Sequence, residues 1–369
     1  MSTRRTSLDT RPTSSGGYSL VELMIAMGLL TVIMGATMGG LADVMRANKM
    51  VLEMTSMNNA LRSGIDLIVR DLLQVGSGLP SGHDITIPSG AGSVGIRIPG
   101  PPGTTFTTVA GEESLPAVIP RPGLGPTING MATDVLTVLM ADNTFLNVTL
   151  SAVASTSVDI AAGPNIATGP DRVTPGQLMM ITKGSQTTLV QVTAVDTASR
   201  RLTFSDGDSL NLNQSTAASG NLPALNAATP VNTASATNIT RIRMVTYYID
   251  ATIDAAHPRL ARRVNNGSAT VFDNTAGTAI AMDAENLQFT FDINNGLSNP
   301  GGVEMVAADL TTTGACSPVA CAPTQVRKVS VALTTRSRDA ASTTSRVLRN
   351  TLQSQVSLRG MAFVDRYRG

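Results

Sequence analysis

The sequence predicts an α+β fold in which one long N-terminal helix packs against an antiparallel β-sheet domain with long loops. An apolar segment near the N-terminus runs into an amphipathic stripe, and no proline lies between Pro12 and Pro80. Short β-branched runs separated by turn residues begin at Asp134. The chain has 369 residues, of which 42% are hydrophobic and 3% aromatic. It can therefore bury a core built mainly from small side chains.

The first apolar segment is long enough to cross a membrane. It runs from Leu23 to Ala42 without a charge, and about twenty helical residues span a hydrocarbon core. We place the membrane part at about 20–42. The charged residues of the short polar stretch 1–17 before it are Arg4, Arg5, Asp9 and Arg11. The positive-inside rule then places the N-terminus in the cytoplasm and everything after Asp43 on the outer side.

An ordinary secretory signal peptide is the alternative interpretation of this segment. Gly40-Leu41-Ala42 before Asp43 offers a small-x-small cleavage site. However, a signal peptide has an apolar stretch of about 7–15 residues, and this one is longer. Glu22 also stands almost at its start, where a carboxylate is costly in lipid and requires a partner.

The residues around the start of this segment form a specific motif. They read Gly16-Gly17-Tyr18-Ser19-Leu20-Val21-Glu22-Leu23, followed by the apolar run. This order resembles the prepilin peptidase motif of type IV pilins and of type II secretion pseudopilins. The resemblance implies that residues 1–17 are a leader, that the peptidase cuts between Gly17 and Tyr18, and that the new amino terminus of Tyr18 is methylated.

The same resemblance implies an assembly role for Glu22. Cutting before the apolar run leaves the membrane helix on the mature protein, with Glu22 one helical turn after the new terminus. In the family, this carboxylate meets the positive N-terminus of a neighbouring subunit, and such a buried pair can register one subunit against another. The alternative is a carboxylate that merely lies at the headgroup level. Gly35 and Gly39 form a Gly-x-x-x-Gly pair that allows close helix packing.

The helical pattern continues beyond the membrane part. The apolar positions are Val44, Ala47, Val51, Met54, Met57, Leu61, Ile65, Ile68, Leu72 and Val75. The opposite face carries Asp43, Arg46, Lys49, Glu53, Arg62, Asp66 and Arg70. We predict one helix over 18–76, ending near Gly76-Ser77-Gly78, with the outer half of its stripe packed on the domain's own sheet.

Two regions follow the helix. Residues 77–133 are rich in Gly and Pro, which predicts loops with one or two short strands near Gly95 to Ile98. Residues 134–369 form the β-rich domain, in which 209–240 is a low-complexity stretch predicted to be a surface loop. The predicted strands are Val135–Met140, Phe145–Leu150, Leu178–Thr182, Thr188–Val195, Arg201–Phe204, Ile239–Ile249, Arg259–Val264, Glu285–Ile293 and Val326–Thr335.

Shorter segments resemble the large minor pilins called PilW-like. They are Leu67 to Gly76, Tyr247 to Asp250 with Pro258 to Arg262, Ala284 to Phe291, and Val326 to Ser337 with Val356 to Arg359. Together they cover about a third of the chain and are less specific than the leader motif. This chain departs from the family pattern after Arg359, where Gly360 and nine further residues replace a common Arg-Asn ending.

The two cysteines predict a disulfide. Cys316 and Cys321 lie close in sequence and, in the topology above, on the oxidising side of the membrane. Half of a metal site is the alternative, but nothing places His83 or His257, the only histidines, near the pair. Asp206-Gly207-Asp208 resembles a fragment of a calcium loop but lacks the later acidic ligands, so we interpret it as a turn. We therefore expect no metal site.

We find no catalytic constellation, so we expect neither an enzyme nor a cofactor. The leading hypothesis is a minor pilin that primes pilus assembly or lies at the pilus tip. Its expected partners are other minor and major pilins, prepilin peptidase and the inner membrane. With 27 basic and 26 acidic residues, no nucleic-acid partner is expected, and no small-molecule substrate is evident. The alternatives are a minor pseudopilin of type II secretion, a pilin-exported adhesin or binding module, and a membrane-tethered enzyme.

Overall fold

A computed structural model of the chain describes residues 17–102, 104–108, 112–227, 237–264, 277–297, 299–338 and 347–361. The predicted α+β class is confirmed, because a helix of 53 residues, α1 (Leu20–Leu72), precedes an antiparallel β domain. The predicted leader lies outside the described residues, except for Gly17. The helix ends at Leu72, earlier than predicted, because the N–H groups of Gln74 and Val75 bond to the carbonyls three residues back, those of Asp71 and Leu72. Gly76 then adopts a φ of 76° and donates its N–H to Leu139 O, which leads the chain into the sheet.

The chain divides into two compact units, 1–53 and 54–369. In the described part of the first unit, side chains are exposed except at Ala42 and Glu53, which are half-buried. An 18-residue window of α1 has a mean hydropathy of 2.0, and none of it is buried. By length and composition, this helix can cross a membrane.

The second unit contains twenty strands among its described residues. They are β1 (Asp84–Thr86), β2 (Arg97–Pro99), β3 (Thr105–Thr107), β4 (Ser114–Pro116), β5 (Val118–Arg121), β6 (Thr127–Ile128), β7 (Met131–Ala132), β8 (Val135–Ala141), β9 (Val148–Val153), β10 (Ser157–Ile160), β11 (Leu178–Lys183), β12 (Gln186–Gln191), β13 (Ala194–Asp196), β14 (Arg201–Thr203), β15 (Thr237–Asp250), β16 (Arg259–Val264), β17 (Thr278–Ala281), β18 (Ala284–Ile293), β19 (Val326–Arg336) and β20 (Arg349–Ser357). A short helix, α2 (Leu222–Ala227), and 3₁₀ turns at Pro323–Gln325 and Arg359–Met361 complete the unit.

The strand β15 organises the larger of the two main sheets. It has 14 residues and pairs with β11 and β9 along its first half and with β8 and β16 along its second. Eleven strands join this sheet. A separate sheet has the order β18–β19–β20. All of the recorded strand pairs are antiparallel, as the alternating patterns of the sequence predict.

The last five turns of α1 provide one wall of the main core. Leu61, Ile65, Ile68 and Leu72 are buried against apolar residues of β8, β15, β18 and β19. Gly64 allows the close approach, because a Cβ at this position would lie 2.9 Å from Leu333 Cδ2. This part of the predicted stripe packs on the sheet as expected.

The inner half of the stripe, for which no packing on the sheet was predicted, is exposed. Val44, Val51 and Met54 keep 56%, 61% and 45% of their surface exposed, so the packed face begins only at Met57. Four charges over 43–53 interrupt the apolar surface there. The charges and the apolar residues of this segment together fit an exposed helix better than a helix buried on a sheet.

Two loop predictions also differ from the structure. The described residues of 77–133 contain seven short strands, β1 to β7, rather than one or two. Within 209–240, Leu210, Leu212 and Leu225 are buried, and residues 237–240 open β15. Positions 228–236 lie outside the described residues. Isolated leucines in a Ser- and Asn-rich stretch give no periodic signal, so their packing is visible only once distant elements are in place.

Candidate assembly site at the start of the long helix

Gly17 and Tyr18 lie just before α1, and no helical backbone protects the bond between them. Tyr18 is 89% exposed, and a Cβ added at Gly17 would meet nothing within 4 Å. An accessible, non-helical peptide bond is what a peptidase requires. The geometry is therefore compatible with processing at this position, and it does not itself identify the enzyme.

Ser19 and Glu22 cap the first turn of α1 reciprocally. Glu22 N–H donates to Ser19 Oγ at 3.1 Å, and Ser19 N–H donates to Glu22 Oε2 at 3.0 Å. This is a capping box, in which two backbone donors that the helix cannot satisfy are each bound by a side chain. The Ser-x-x-Glu spacing in the sequence is the signal that could have predicted this cap.

The capping box fixes where the negative charge of Glu22 lies. The carboxylate is held at the N-terminal end of the helix, where the helix dipole favours an anion. Oε2 is used within the chain, so the free lone pairs of the carboxylate can accept a further donor. A positive amino group from a neighbouring chain would be such a donor.

Gly35 and Gly39 lie on an uncovered surface. A Cβ added at either glycine would meet nothing within 4 Å, so no contact among the described residues explains their small size. Hydroxyl groups in the same stretch are satisfied internally, since Thr31 Oγ1 donates to Gly28 O and Thr37 Oγ1 to Met34 O. The segment thus presents a surface without open polar groups, which suits lipid or a closely packed helix.

Cys316 and Cys321 form a disulfide, with 5.7 Å between their Cα atoms. The loop is shaped further by Asn295, whose Nδ2 donates to the carbonyl oxygens of Cys316 and Val319. Both cysteines are buried in the main core. The predicted pairing is present: it closes a short loop before β19, and both of its residues pack in that core.

The residues weighed as metal ligands have other partners or environments. His257 Nδ1 lies 2.7 Å from Asp283 Oδ1, whereas His83 is buried elsewhere. Asp206 accepts hydrogen bonds from Ser215. Asp208 is buried, accepts N–H groups from Leu210, Leu212 and Asn213, and has a pKa raised by that burial. Within the described ranges, no group of three or more His, Cys, Asp or Glu side chains could hold a metal ion.

Together these features define a class of protein: an α+β chain whose long apolar N-terminal helix can anchor it in a membrane, with an architecture consistent with a pilin-like protein. No family model matches the chain, and no curated protein or solved structure is significantly similar to it. The particular function is therefore argued from the helix start and its chemistry.

Proposed function

We propose that this chain is a minor pilin that acts in the assembly of a type IV pilus or at its tip, after a prepilin peptidase removes residues 1–17. One observation carries the proposal: an accessible Gly17–Tyr18 bond directly precedes Glu22, whose carboxylate caps the first turn of a 53-residue helix with an exposed, apolar N-terminal part. A cleaved signal peptide needs no such carboxylate, because its apolar segment is discarded.

The chemistry of assembly follows from that arrangement. Cleavage before Tyr18 creates a positive amino terminus and leaves the anchoring helix on the mature chain. Glu22, held at the helix start by Ser19, then binds the amino terminus of a neighbouring pilin within the apolar packing of the two helices. In such surroundings an unpaired charge is costly, so the pair selects one register between subunits.

The same proposal assigns a location and partners. The chain is inserted once in the inner membrane with the N-terminus in the cytoplasm and the β domain in the periplasm, and it moves from there into the pilus at the cell surface. The disulfide between Cys316 and Cys321 supports an oxidising compartment for the β domain. Other pilins and prepilin peptidase are the proposed partners, and no catalytic role is assigned.

Mass spectrometry of the N-terminus, on protein from membranes and from sheared surface filaments, tests this proposal. Wild type should begin at a methylated Tyr18. Glu22→Gln keeps an oxygen that can cap Ser19 but removes the charge, whereas Ser19→Ala keeps the charge but removes one capping bond. We expect Glu22→Gln to be processed normally and to be lost from filaments, and Ser19→Ala to remain in them.

Other results would contradict the proposal in distinguishable ways. A terminus at Asp43 would identify an ordinary signal peptide. Normal recovery of Glu22→Gln in filaments would show that the charge of Glu22 plays no part in assembly. Processing at Tyr18 without any recovery in surface filaments would favour a pseudopilin of a secretion system.

A further inference from the structure

The segment 41–55 of α1 follows the proposed membrane part and precedes Met57, the first residue buried in the β domain. Its charged residues are Asp43, Arg46, Lys49 and Glu53. Four charges within a few turns are incompatible with the hydrocarbon core. If the chain is anchored as proposed above, this segment therefore stands in water, and the inference below rests on that anchoring.

An uncharged seam runs along this segment with the spacing of a heptad repeat. Its positions alternate by four and three residues: Met27, Leu30, Met34, Thr37, Leu41, Val44, Asn48, Val51 and Thr55. Leu41 and Val44 keep 52% and 56% of their surface exposed. The next two positions are Asn58 and Arg62, so the apolar residues of the seam end at Val51. Such a repeat is the pattern of a coiled coil.

The charges of the segment all lie off this seam. In the heptad notation with Leu41 and Asn48 at position a, Asp43 is at c, Lys49 at b, and Arg46 and Glu53 at f. They also pair within the helix: Arg46 Nη1 lies 3.2 Å from Asp43 Oδ1, and Lys49 Nζ lies 4.0 Å from Glu53 Oε1. The seam therefore has no charge to oppose a close partner, and its flanks at Met45 and Leu52 widen the apolar surface.

We propose that the segment 41–55 pairs in parallel with the same segment of a second copy of this chain, as a two-stranded coiled coil in which Asn48 faces Asn48. A parallel pair places identical residues at each level, so leucine meets leucine, valine meets valine, and the one amide meets an amide. Asn48 carries the only amide among the seam positions from Met27 to Thr55, and a single asparagine at an a position is a known device for fixing register and oligomer state.

A second copy satisfies Asn48 in a way that an arbitrary helix does not. An apolar residue opposite Asn48 would leave its amide buried without a hydrogen-bond partner, which carries a desolvation penalty. Two copies anchored in one membrane also leave it in the same direction, which gives the parallel orientation without further constraint. Water outside the membrane supplies a hydrophobic driving force that lipid does not.

Cysteine cross-linking of the full chain in membranes tests the proposal. The only two native cysteines are joined in a disulfide, so one introduced cysteine is the only free thiol. Val44→Cys lies on the seam, and Met50→Cys is a matched control on the opposite helix face. After mild oxidation we expect Val44→Cys to form a species of twice the chain mass, with at least about ten times the yield of Met50→Cys.

A second pair of variants tests the role of Asn48. In the Val44→Cys background, Asn48→Lys places like charges face to face and should abolish most of the cross-linked dimer, whereas Ser56→Lys, at an exposed b position, should leave it intact. The inference would be overturned if Val44→Cys and Met50→Cys were cross-linked equally. It would also be overturned if Val44→Cys were cross-linked to a different protein, seen as a product whose mass is not twice that of the chain. Each variant is also measured in alkali-washed membranes, which retain only anchored chains. If the proposed anchoring is wrong, the chain will be missing from these membranes, whatever the cross-linking shows.

Discussion

At the scale of single residues, His83 is a buried histidine, only 4% exposed. Neither nitrogen of its ring has a hydrogen-bond partner among the residues that the structure describes. Its backbone is fully used, since N–H donates to Pro80 O and the carbonyl accepts from Ala117 N–H. Burial lowers the pKa of His83, nearby Arg327 lowers it further, and Asp84 opposes them.

The lowered pKa of His83 predicts that the folded protein becomes less stable as the pH decreases. The unfolded chain binds a proton at a pKa of about 6.5, whereas the folded chain resists protonation until the pH is lower. The contribution of neutral His83 is thus complete above about pH 6.5 and is lost below it, by up to about 1.4 kcal/mol per pH unit, until the native pKa is reached.

Urea unfolding at pH 7.5, 6.5 and 5.5 measures this effect in wild type and in His83→Asn. Asparagine suits the control because position 83 has a φ of 55°, a left-handed conformation that asparagine tolerates. We expect the free energy of unfolding to decrease less steeply in the variant as the pH falls. Identical slopes in the two proteins would show that His83 does not cause the pH dependence.

Residues also show where sequence reasoning stops. The pairing of Cys316 with Cys321 followed from their short separation and expected compartment. The motif from Gly17 to Glu22 could be identified from the sequence alone. The roles of Asp208 and His83 could not, because their burial depends on packing between segments far apart in sequence. A turn-like Asp-Gly-Asp gives no indication that one of its carboxylates is buried and binds three N–H groups.

At the scale of elements, a polar network joins α1 to the larger sheet. Asp71 on α1 accepts hydrogen bonds from Tyr247 Oη on β15 and from Arg262 Nε on β16, the latter at 2.7 Å. Tyr247 is fully buried, and burial together with the Asp71 charge raises the pKa of its hydroxyl. The network keeps a charged residue inside an otherwise apolar helix–sheet contact.

Removing the carboxylate should destabilise that contact. Asp71→Ala leaves Arg262 and Tyr247 without their partner, and we expect a loss of about 2–3 kcal/mol in the free energy of unfolding. This expected loss of stability is smaller than the loss for breaking a fully buried ion pair, because the Arg262 side chain is 23% exposed. Tyr247→Phe should cost about 1–2 kcal/mol.

The exposed Asp66 on the same helix provides the matched control. Asp66→Ala should change the free energy of unfolding by less than about 0.5 kcal/mol. Chemical unfolding of the detergent-solubilised chain compares the three variants. A loss for Asp71→Ala no larger than that for Asp66→Ala would mean that the network contributes nothing to stability.

Elements also differ in how clearly the sequence signals them. Long alternating runs such as β15, β16, β18 and β19 were predicted close to their observed bounds. The strand β20 was not, because Arg349–Ser357 contains mostly polar residues and becomes a strand through its pairing with β19. The order of strands around β15 brings together segments distant in the chain, and no local pattern encodes that order.

At the scale of the whole molecule, the buried apolar residues form three large clusters, and all of them lie at or after Met57. One cluster lies beneath the last turns of α1. A second surrounds Ile85 and Ile98, and a third lies between β9 and α2. Since the described residues before Met57 contribute no buried side chain, we expect the β domain to fold without the membrane part of the helix.

This distribution predicts that a chain beginning at Met54 is soluble and folded. It retains Leu61, Ile65, Ile68 and Leu72, which fill one wall of the main core, and it loses the exposed apolar surface. We expect cooperative thermal unfolding by circular dichroism and no reactive thiol without reduction. A chain beginning at Gly76 is the control, because it loses those four side chains at about 2 kcal/mol or more each and should aggregate or unfold. If the chain beginning at Gly76 were as stable as the chain beginning at Met54, α1 would not be part of the core. If neither chain folded, the β domain would require the membrane segment to fold.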